Sequence, residues 1–251
     1  MSLPLILAAR VLKLSIYLVE PNHVLGRANK YFLNSCKKIF CYSEKVKNFP
    51  DNLRNKIVTI NPLISKNIYN SKFNNKNKEK FTILIVGGSQ GADIFDKNLK
   101  NSIVNISKNF IIKIIHQTSE KNILQLNEFY LKNNIENKTF CFEKNFVLNI
   151  QQSDLCITRA GATTLAELSF LNIPFITVPL PTSKDNHQLE NAKFYQHNDC
   201  SWNIEQIFFE QRIEDTLKDI IEKKSDYMKK KENLKKLNYQ NTWINVNQKI
   251  L

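Results

Sequence analysis

Three short stretches hold the residues able to do chemistry. Gly87-Gly88-Ser89-Gln90-Gly91 contains three of the chain's 5 glycines. It follows an apolar run, Phe81-Thr82-Ile83-Leu84-Ile85-Val86, and precedes a helical pattern of Ala92, Ile94, Phe95 and Leu99. A strand, a glycine turn and a helix start direct free N–H groups and the positive end of a helix dipole at an anion. Glycine also permits the close backbone approach that a phosphate needs. Gly161-Ala162-Thr163-Thr164-Leu165-Ala166-Glu167 opens a second helix. Its N–H groups and hydroxyls suit a pyrophosphate, and its carboxylate suits a ribose diol. The same residues equally suit threonine N-capping with a glutamate favoured by the helix dipole. Asp185-Asn186-His187-Gln188 is dense in hydrogen-bonding groups, which fits a sugar and also an Asx-capped helix start.

The elements between these stretches must position them. Apolar runs predict strands at 81–86, 110–115, 139–142, 154–158 and 174–178, with helices near 119–133, 146–152, 162–171 and 186–197. A lysine-rich amphipathic helix or helix pair spans 213–237. Such alternation predicts a parallel, doubly wound α/β sheet, whose ligands lie at the carboxyl ends of the strands. All three stretches fall there, as does His116-Gln117-Thr118. Upstream, helices at 4–14 and 26–37 and strands at 15–19, 39–42 and 56–60 read as the closing units of another α/β domain. The expected division is a partial N-terminal domain at 1–64, a polar linker at 65–80, a Rossmann-like domain at 81–238 and a helix at 239–251 packing back on the N-terminal part.

Several chemistries are disfavoured. The first turn matches G-x-G-x-x-G only loosely, and Ile115-His116-Gln117 offers no acidic residue for a dinucleotide ribose. No Gly-Lys-Ser/Thr follows, as an ATP-binding loop requires. The 5 cysteines (Cys36, Cys41, Cys141, Cys156, Cys200) lack Cys-x-x-Cys spacing and read as reduced thiols of a cytosolic protein, with Cys141 and Cys156 in the core. The net charge of +13 comes from lysines scattered among asparagines, which reads as a solvated basic surface; no nucleic-acid motif accompanies it. No run of about 20 apolar residues is present to cross a membrane. The apolar stretch 3–9 is too short and wrongly flanked for a signal peptide.

Together, Gly87-Gly88-Ser89-Gln90-Gly91-Ala92, His116-Gln117-Thr118, Thr158-Arg159-Ala160-Gly161 running on to Glu167, and Asp185-Asn186-His187-Gln188 with Asn191-Ala192 resemble the MurG family of glycosyltransferases, family 28. Glu20-Pro21-Asn22 and Gly26-Arg27-Ala28-Asn29-Lys30 extend the resemblance upstream, so that it runs from about Pro4 to the C-terminus. It implies a GT-B fold: one complete Rossmann-like domain plus the C-terminal remnant of a second α/β domain. It also implies inverting transfer of GlcNAc from UDP-GlcNAc to undecaprenyl-diphospho-MurNAc-pentapeptide (lipid I). That reaction would take place peripherally on the cytoplasmic face of the bacterial inner membrane.

By the same resemblance Ser89, Gln90 and Gly91 meet the UDP phosphates. Ala162, Thr163, Thr164, Leu165, Ala166 and Glu167 hold the nucleotide, with Glu167 on the ribose. Gln188 and His187 meet the GlcNAc hydroxyls, and Asn22 reaches the donor from across the cleft. No Asp-x-Asp motif asks for a metal, no cofactor is implied, and no catalytic base is identified. Two departures stand out. The family's glycine-rich N-terminal loop and its following histidine are missing, so the chain is expected to start after them. A separately supplied N-terminal half, a donor-binding subunit inactive alone, and a UDP-sugar epimerase of the same architecture therefore stay open. Second, Asn61-Pro62 is followed by Leu63-Ile64 where the family has an arginine, leaving Lys66 as the nearest substitute.

Overall fold

The structure, a computed structural model, describes residues 3–69, 79–88, 93–237 and 246–249. The first unit comprises α1 (Leu3–Val11), β1 (Tyr17–Glu20), α2 (Arg27–Phe32), β2 (Lys38–Cys41) and β3 (Ile57–Thr59). Its parallel strands lie in the order β1-β2-β3. Leu18, Leu25, Phe32, Leu33, Ile39 and Val46 give it a small core of its own. The helical turn 246–249 lies against this sheet: Val246 joins Phe40 and Ile60, and Lys249 Nζ donates to the Thr59 carbonyl at 2.7 Å.

A helical turn, α3 (Lys66–Tyr69), leads towards the second unit. Part of the stretch expected as a linker is packed there, since Ile64 and Ile68 are buried among Leu84, Leu165 and Leu168, and Tyr69 stacks on Phe170.

The second unit runs β4 (Phe81–Val86), α4 (Asp93–Asn98), α5 (Lys100–Ser107), β5 (Ile112–Gln117), α6 (Ile123–Lys132), β6 (Glu136–Phe140), α7 (Phe146–Gln151), β7 (Leu155–Thr158), α8 (Ala162–Phe170), β8 (Phe175–Thr177), α9 (His187–His197), β9 (Ser201–Asn203), α10 (Phe209–Glu222) and α11 (Lys224–Lys236). All six strands are parallel, in the order β6-β5-β4-β7-β8-β9. Helices cover both faces, which is why β4 is apolar at every position but Thr82. Alternation then divides it. Ile83 and Ile85 meet Phe95, Leu99, Ile213 and Leu217 on one face, and Leu84 and Val86 meet Leu165, Ala166 and Leu168 on the other. The strand order reverses between β4 and β7. That reversal opens a crevice at the carboxyl ends, the place where doubly wound sheets bind ligands.

Three expectations need correction. The sheet has a sixth strand, β9, which is three residues long and shows no apolar alternation; its pairing with β8 fixes it. Strand β6 starts at Glu136, earlier than 139, because this edge strand (Glu-Asn-Lys-Thr-Phe) turns polar side chains to solvent and hides from an apolar-run reading. As a result Cys141 lies beyond the strand and is half-buried, whereas Cys156 is buried as expected. The basic segment, expected as one helix or a pair, is a pair that starts at Phe209 and breaks at Lys223.

Candidate functional site at the sheet reversal

Strand β4 ends in Gly87-Gly88, and Gly88 takes φ +81°, a left-handed angle that a side chain would strain. Ser89, Gln90 and Gly91 lie outside the described residues. Across the reversal, β7 passes through Arg159-Ala160-Gly161 into α8. Gly161 caps this helix in extended backbone with no side-chain hydrogen bond, so threonine capping is not what the sequence does here. The Leu165 N–H bonds the Gly161 carbonyl at 3.0 Å. The N–H groups of Ala162, Thr163 and Thr164 precede that first helical bond and are left for solvent or an anion. Thr163 is exposed, Ala162 and Thr164 are half-buried, and Leu165 and Ala166 turn their side chains into the core. Arg159 Nη1 donates to the Val178 carbonyl at 2.9 Å, and its guanidinium lies 5.4 Å from the centre of the Phe95 ring. Among the described residues it has no carboxylate partner, so the crevice keeps a positive charge.

Glu167 sits in the second turn of α8. Burial pushes its carboxyl up to about 7, against a hydrogen bond from the Ser65 hydroxyl. A carboxyl at this value is close to half ionised at neutral pH, and hydroxyl donors would favour its ionised form.

The loop after β8 turns sharply at Asp185 and Asn186, both left-handed at φ 54°. Asp and Asn are the non-glycine residues that best tolerate this angle. Gln188 Oε1 accepts from the Leu180 N–H at 2.9 Å, and His187 Nδ1 meets the Lys184 carbonyl at 2.7 Å. Asp185 pairs with Arg27 of the first unit at 3.0 Å.

One turn along α9, the two units dock. Asn191 Nδ2 donates to Asn22 Oδ1 at 3.0 Å and to the Ala160 carbonyl at 3.1 Å, while its Oδ1 accepts from the His23 N–H at 3.0 Å. His23 stacks on Phe194 with ring centroids 4.0 Å apart, and Lys47 pairs with Glu190 at 2.6 Å. A cavity of about 110 Å3 remains between Pro21, His23, Tyr42, Ala162 and Asn191, so residues of the first unit and the start of α8 border one space.

Burial holds the His23 imidazole down at about 4, with Glu190 opposing. Between about pH 4 and 6.5 the unfolded chain therefore binds a proton here that the folded chain does not, and stability rises with pH. Glu167 acts in the opposite sense. Between about 4.5 and 7 the folded chain binds the extra proton, and stability falls as pH rises. The two slopes oppose each other over their shared window. His23→Gln should remove the His23 contribution, lowering the gain in stability between pH 4 and 6.5 by up to about 3 kcal/mol relative to wild type. Urea unfolding of both proteins at stepped pH measures the difference; parallel profiles would show that His23 is not buried as described.

Sequence reasoning missed Ser65 beside Glu167, and it missed Glu20 and Asn191 as the residues that hold Asn22. Ser65 left no local signal, while Glu20 and Asn191 stand inside the motif stretches that carry the resemblance. No group of His, Cys, Asp or Glu suited to a metal ion occurs among the described residues.

The model of the glycosyltransferase family 28 C-terminal domain matches residues 82–242. A relative from Pelagibacter ubique (strain HTCC1062) is 48% identical over 252 residues, covering 100% of this chain and 71% of its own length. Its name is UDP-N-acetylglucosamine--N-acetylmuramyl-(pentapeptide) pyrophosphoryl-undecaprenol N-acetylglucosamine transferase. A relative of the same name from Rickettsia canadensis (strain McKiel) is 39% identical over 204 residues, covering 79% of this chain and 58% of its own length. Among solved structures, Acinetobacter baumannii MurG superposes with a TM-score of 0.77 at 22% identity, over 96% of this chain and 68% of that one. The UDP-GlcNAc 2-epimerase from Neisseria meningitidis superposes at 0.60 with 15% identity, over 95% and 68%. The structural likenesses speak for the GT-B fold alone.

Proposed function

The chain belongs to glycosyltransferase family 28, and from that membership we propose that it moves GlcNAc from UDP-GlcNAc to the undecaprenyl-diphospho-MurNAc-pentapeptide acceptor named for its relatives. The observation that carries the reading is the uncapped start of α8 at the strand reversal, with a buried carboxyl in its second turn. The N–H groups of Ala162, Thr163 and Thr164, together with Gly87–Gly91 and Ser89, hold the diphosphate. Leu165 and Ala166 contribute main chain only, and Glu167 accepts from the ribose hydroxyls. Gln188 and His187 meet the sugar from α9, and Asn22 meets it from the first unit.

The acceptor hydroxyl attacks the anomeric carbon from the face opposite UDP. Its new C–O bond forms as the bond to the diphosphate oxygen breaks, and the configuration inverts. The hydroxyl proton passes to a general base. Charge develops on the leaving diphosphate, where the free helix N–H groups would stabilise it, with Arg159, two residues before the Gly161 cap, adding positive charge. The reading uses no metal. The acceptor is a lipid, so the enzyme works at a membrane surface; no helix among the described residues is long and apolar enough to cross one.

The chain spans 71% and 58% of the two relatives' lengths. That favours a second reading, in which acceptor-binding residues come from a further polypeptide segment and this chain supplies the donor side. Calorimetric titration with UDP-GlcNAc, followed by transfer of labelled GlcNAc to a lipid I analogue, separates the two readings. Binding with transfer supports the first and binding without transfer the second. No binding would overturn the donor site itself.

A further inference from the structure

We propose that Asn191 is a positioning residue for the donor sugar: it sets the orientation of the Asn22 amide and ties it to the start of α8. The inference rests on the reading above, that Asn22 meets the GlcNAc moiety.

Its physical basis is a hydrogen-bond relay with only one possible direction. Glu20 is 2% exposed and its carboxylate receives four donors. Oε1 accepts from the Asn22 N–H at 3.1 Å and from Asn22 Nδ2 at 3.0 Å. Oε2 accepts from the Gly26 N–H at 2.8 Å and from Asn29 Nδ2 at 2.9 Å. A carboxylate only accepts, so Asn22 must turn its Nδ2 to Glu20 and its Oδ1 away. That oxygen faces Asn191, which must answer with Nδ2. The second Nδ2 hydrogen of Asn191 goes to the Ala160 carbonyl, and its oxygen takes the His23 N–H. Asn191 is 1% exposed, and both its amide hydrogens and its oxygen are engaged. Flipping either amide would set like against like in a buried place, which costs more than a missing bond in water.

Ala160 immediately precedes the Gly161 cap. One buried amide therefore joins the loop bearing Asn22 to the backbone that starts the diphosphate helix. Asn22 is left with one N–H and one lone pair free, aimed by its partners. Distortion of the relay should therefore weaken contact with the sugar and spare contact with UDP, which α8 and Glu167 hold.

The test is a double-mutant cycle read by titration with UDP and with UDP-GlcNAc on wild type, Asn22→Ala, Asn191→Asp, Asn191→Ala and the Asn22→Ala/Asn191→Asp pair. Asn191→Asp is nearly isosteric but sets oxygen against Asn22 Oδ1 and the Ala160 carbonyl. We expect Asn22→Ala to weaken UDP-GlcNAc about tenfold. Both Asn191 variants should do at least as much, with UDP affinity changed less than about threefold and the pair no weaker than Asn191→Asp alone. Each dissociation constant is read on folded protein, so partial unfolding lowers the number of sites and leaves the ratio of constants intact. Equal weakening of both ligands, unchanged affinities in the Asn191 variants, or additive effects in the pair would overturn the proposal. Failure of wild type to bind UDP, or indifference of UDP-GlcNAc to Asn22→Ala, would instead strike the donor-site reading beneath it.

Discussion

Asp96→Ala is expected to destabilise the chain by about 3 kcal/mol, since a neutral buried donor left unsatisfied costs about 1–3 kcal/mol and the change leaves more than one. Asp96 is nearly buried on α4, the helix that follows the Gly87–Gly91 turn. It accepts from Thr118 Oγ1 at 2.6 Å and from Asn122 Nδ2 at 2.8 Å, and its Oδ1 faces His116 Nε2 at 3.2 Å. His116 is fully buried, and its Nδ1 meets the Tyr130 hydroxyl at 2.9 Å. Burial holds this imidazole below its ordinary range, against the pull of Asp96, so it is neutral. Asp96 can only accept, so the neutral ring carries its proton on Nε2 and takes the Tyr130 hydroxyl at Nδ1. Burial pushes the Asp96 carboxyl up, but the bonds from His116, Thr118 and Asn122 outweigh it and hold it below the ordinary range. Its contribution is therefore present above the unfolded-state pKa and fades as pH falls through the folded one. Removing the carboxylate strands Thr118, Asn122 and His116 together. A shift in the urea midpoint at unchanged slope measures the loss; a change below about 1 kcal/mol would mean that the network does not form. His116 and Thr118 stand at the end of β5 but point inward, so they brace the helix that follows the glycine turn.

Glu167→Gln is the second large expected effect, on binding. A carboxylate accepting ribose hydroxyls is worth about 1.5–3 kcal/mol, so UDP-GlcNAc affinity should fall roughly 10- to 150-fold. The pH dependence is the sharper readout. Because burial holds this carboxyl at about 7, each pH unit below that should weaken wild-type binding by up to about tenfold, with a plateau above. In the glutamine variant this slope should vanish. A variant that binds as tightly as wild type, or that keeps the slope, would remove Glu167 from the site.

What was legible in the sequence follows physical range. The run Phe81–Val86, the glycines after it and the Leu155–Thr158 strand entering a helix are local patterns, each sufficient to fix its own element. Together they located the residues at the carboxyl ends of the strands, whereas the order that sets β4 beside β7 rests on long-range pairing. The strand at Ser201 is too short to show a period, and it exists because β8 offers it an edge. The partners of Asn22 were hidden for another reason. Asn191 lies 169 residues away, and nothing within either stretch shows that one buried amide serves both. Ser65 reads as linker because its own neighbours are polar; its role comes from Glu167.

The polar face of β6 has a consequence for how the chain behaves in a crowd. An open sheet has two unpaired margins, and each can template a strand from another molecule. On β6, Glu136 is clasped by Lys80 at 2.6 Å and Lys113 at 2.7 Å, and Lys138 pairs with Glu143 at 2.7 Å. An incoming strand would have to desolvate these ion pairs to extend the ladder. At the far margin β9 offers only three residues before the chain leaves the sheet. The same charges that hid the start of β6 thus guard the protein against stacking into aggregates.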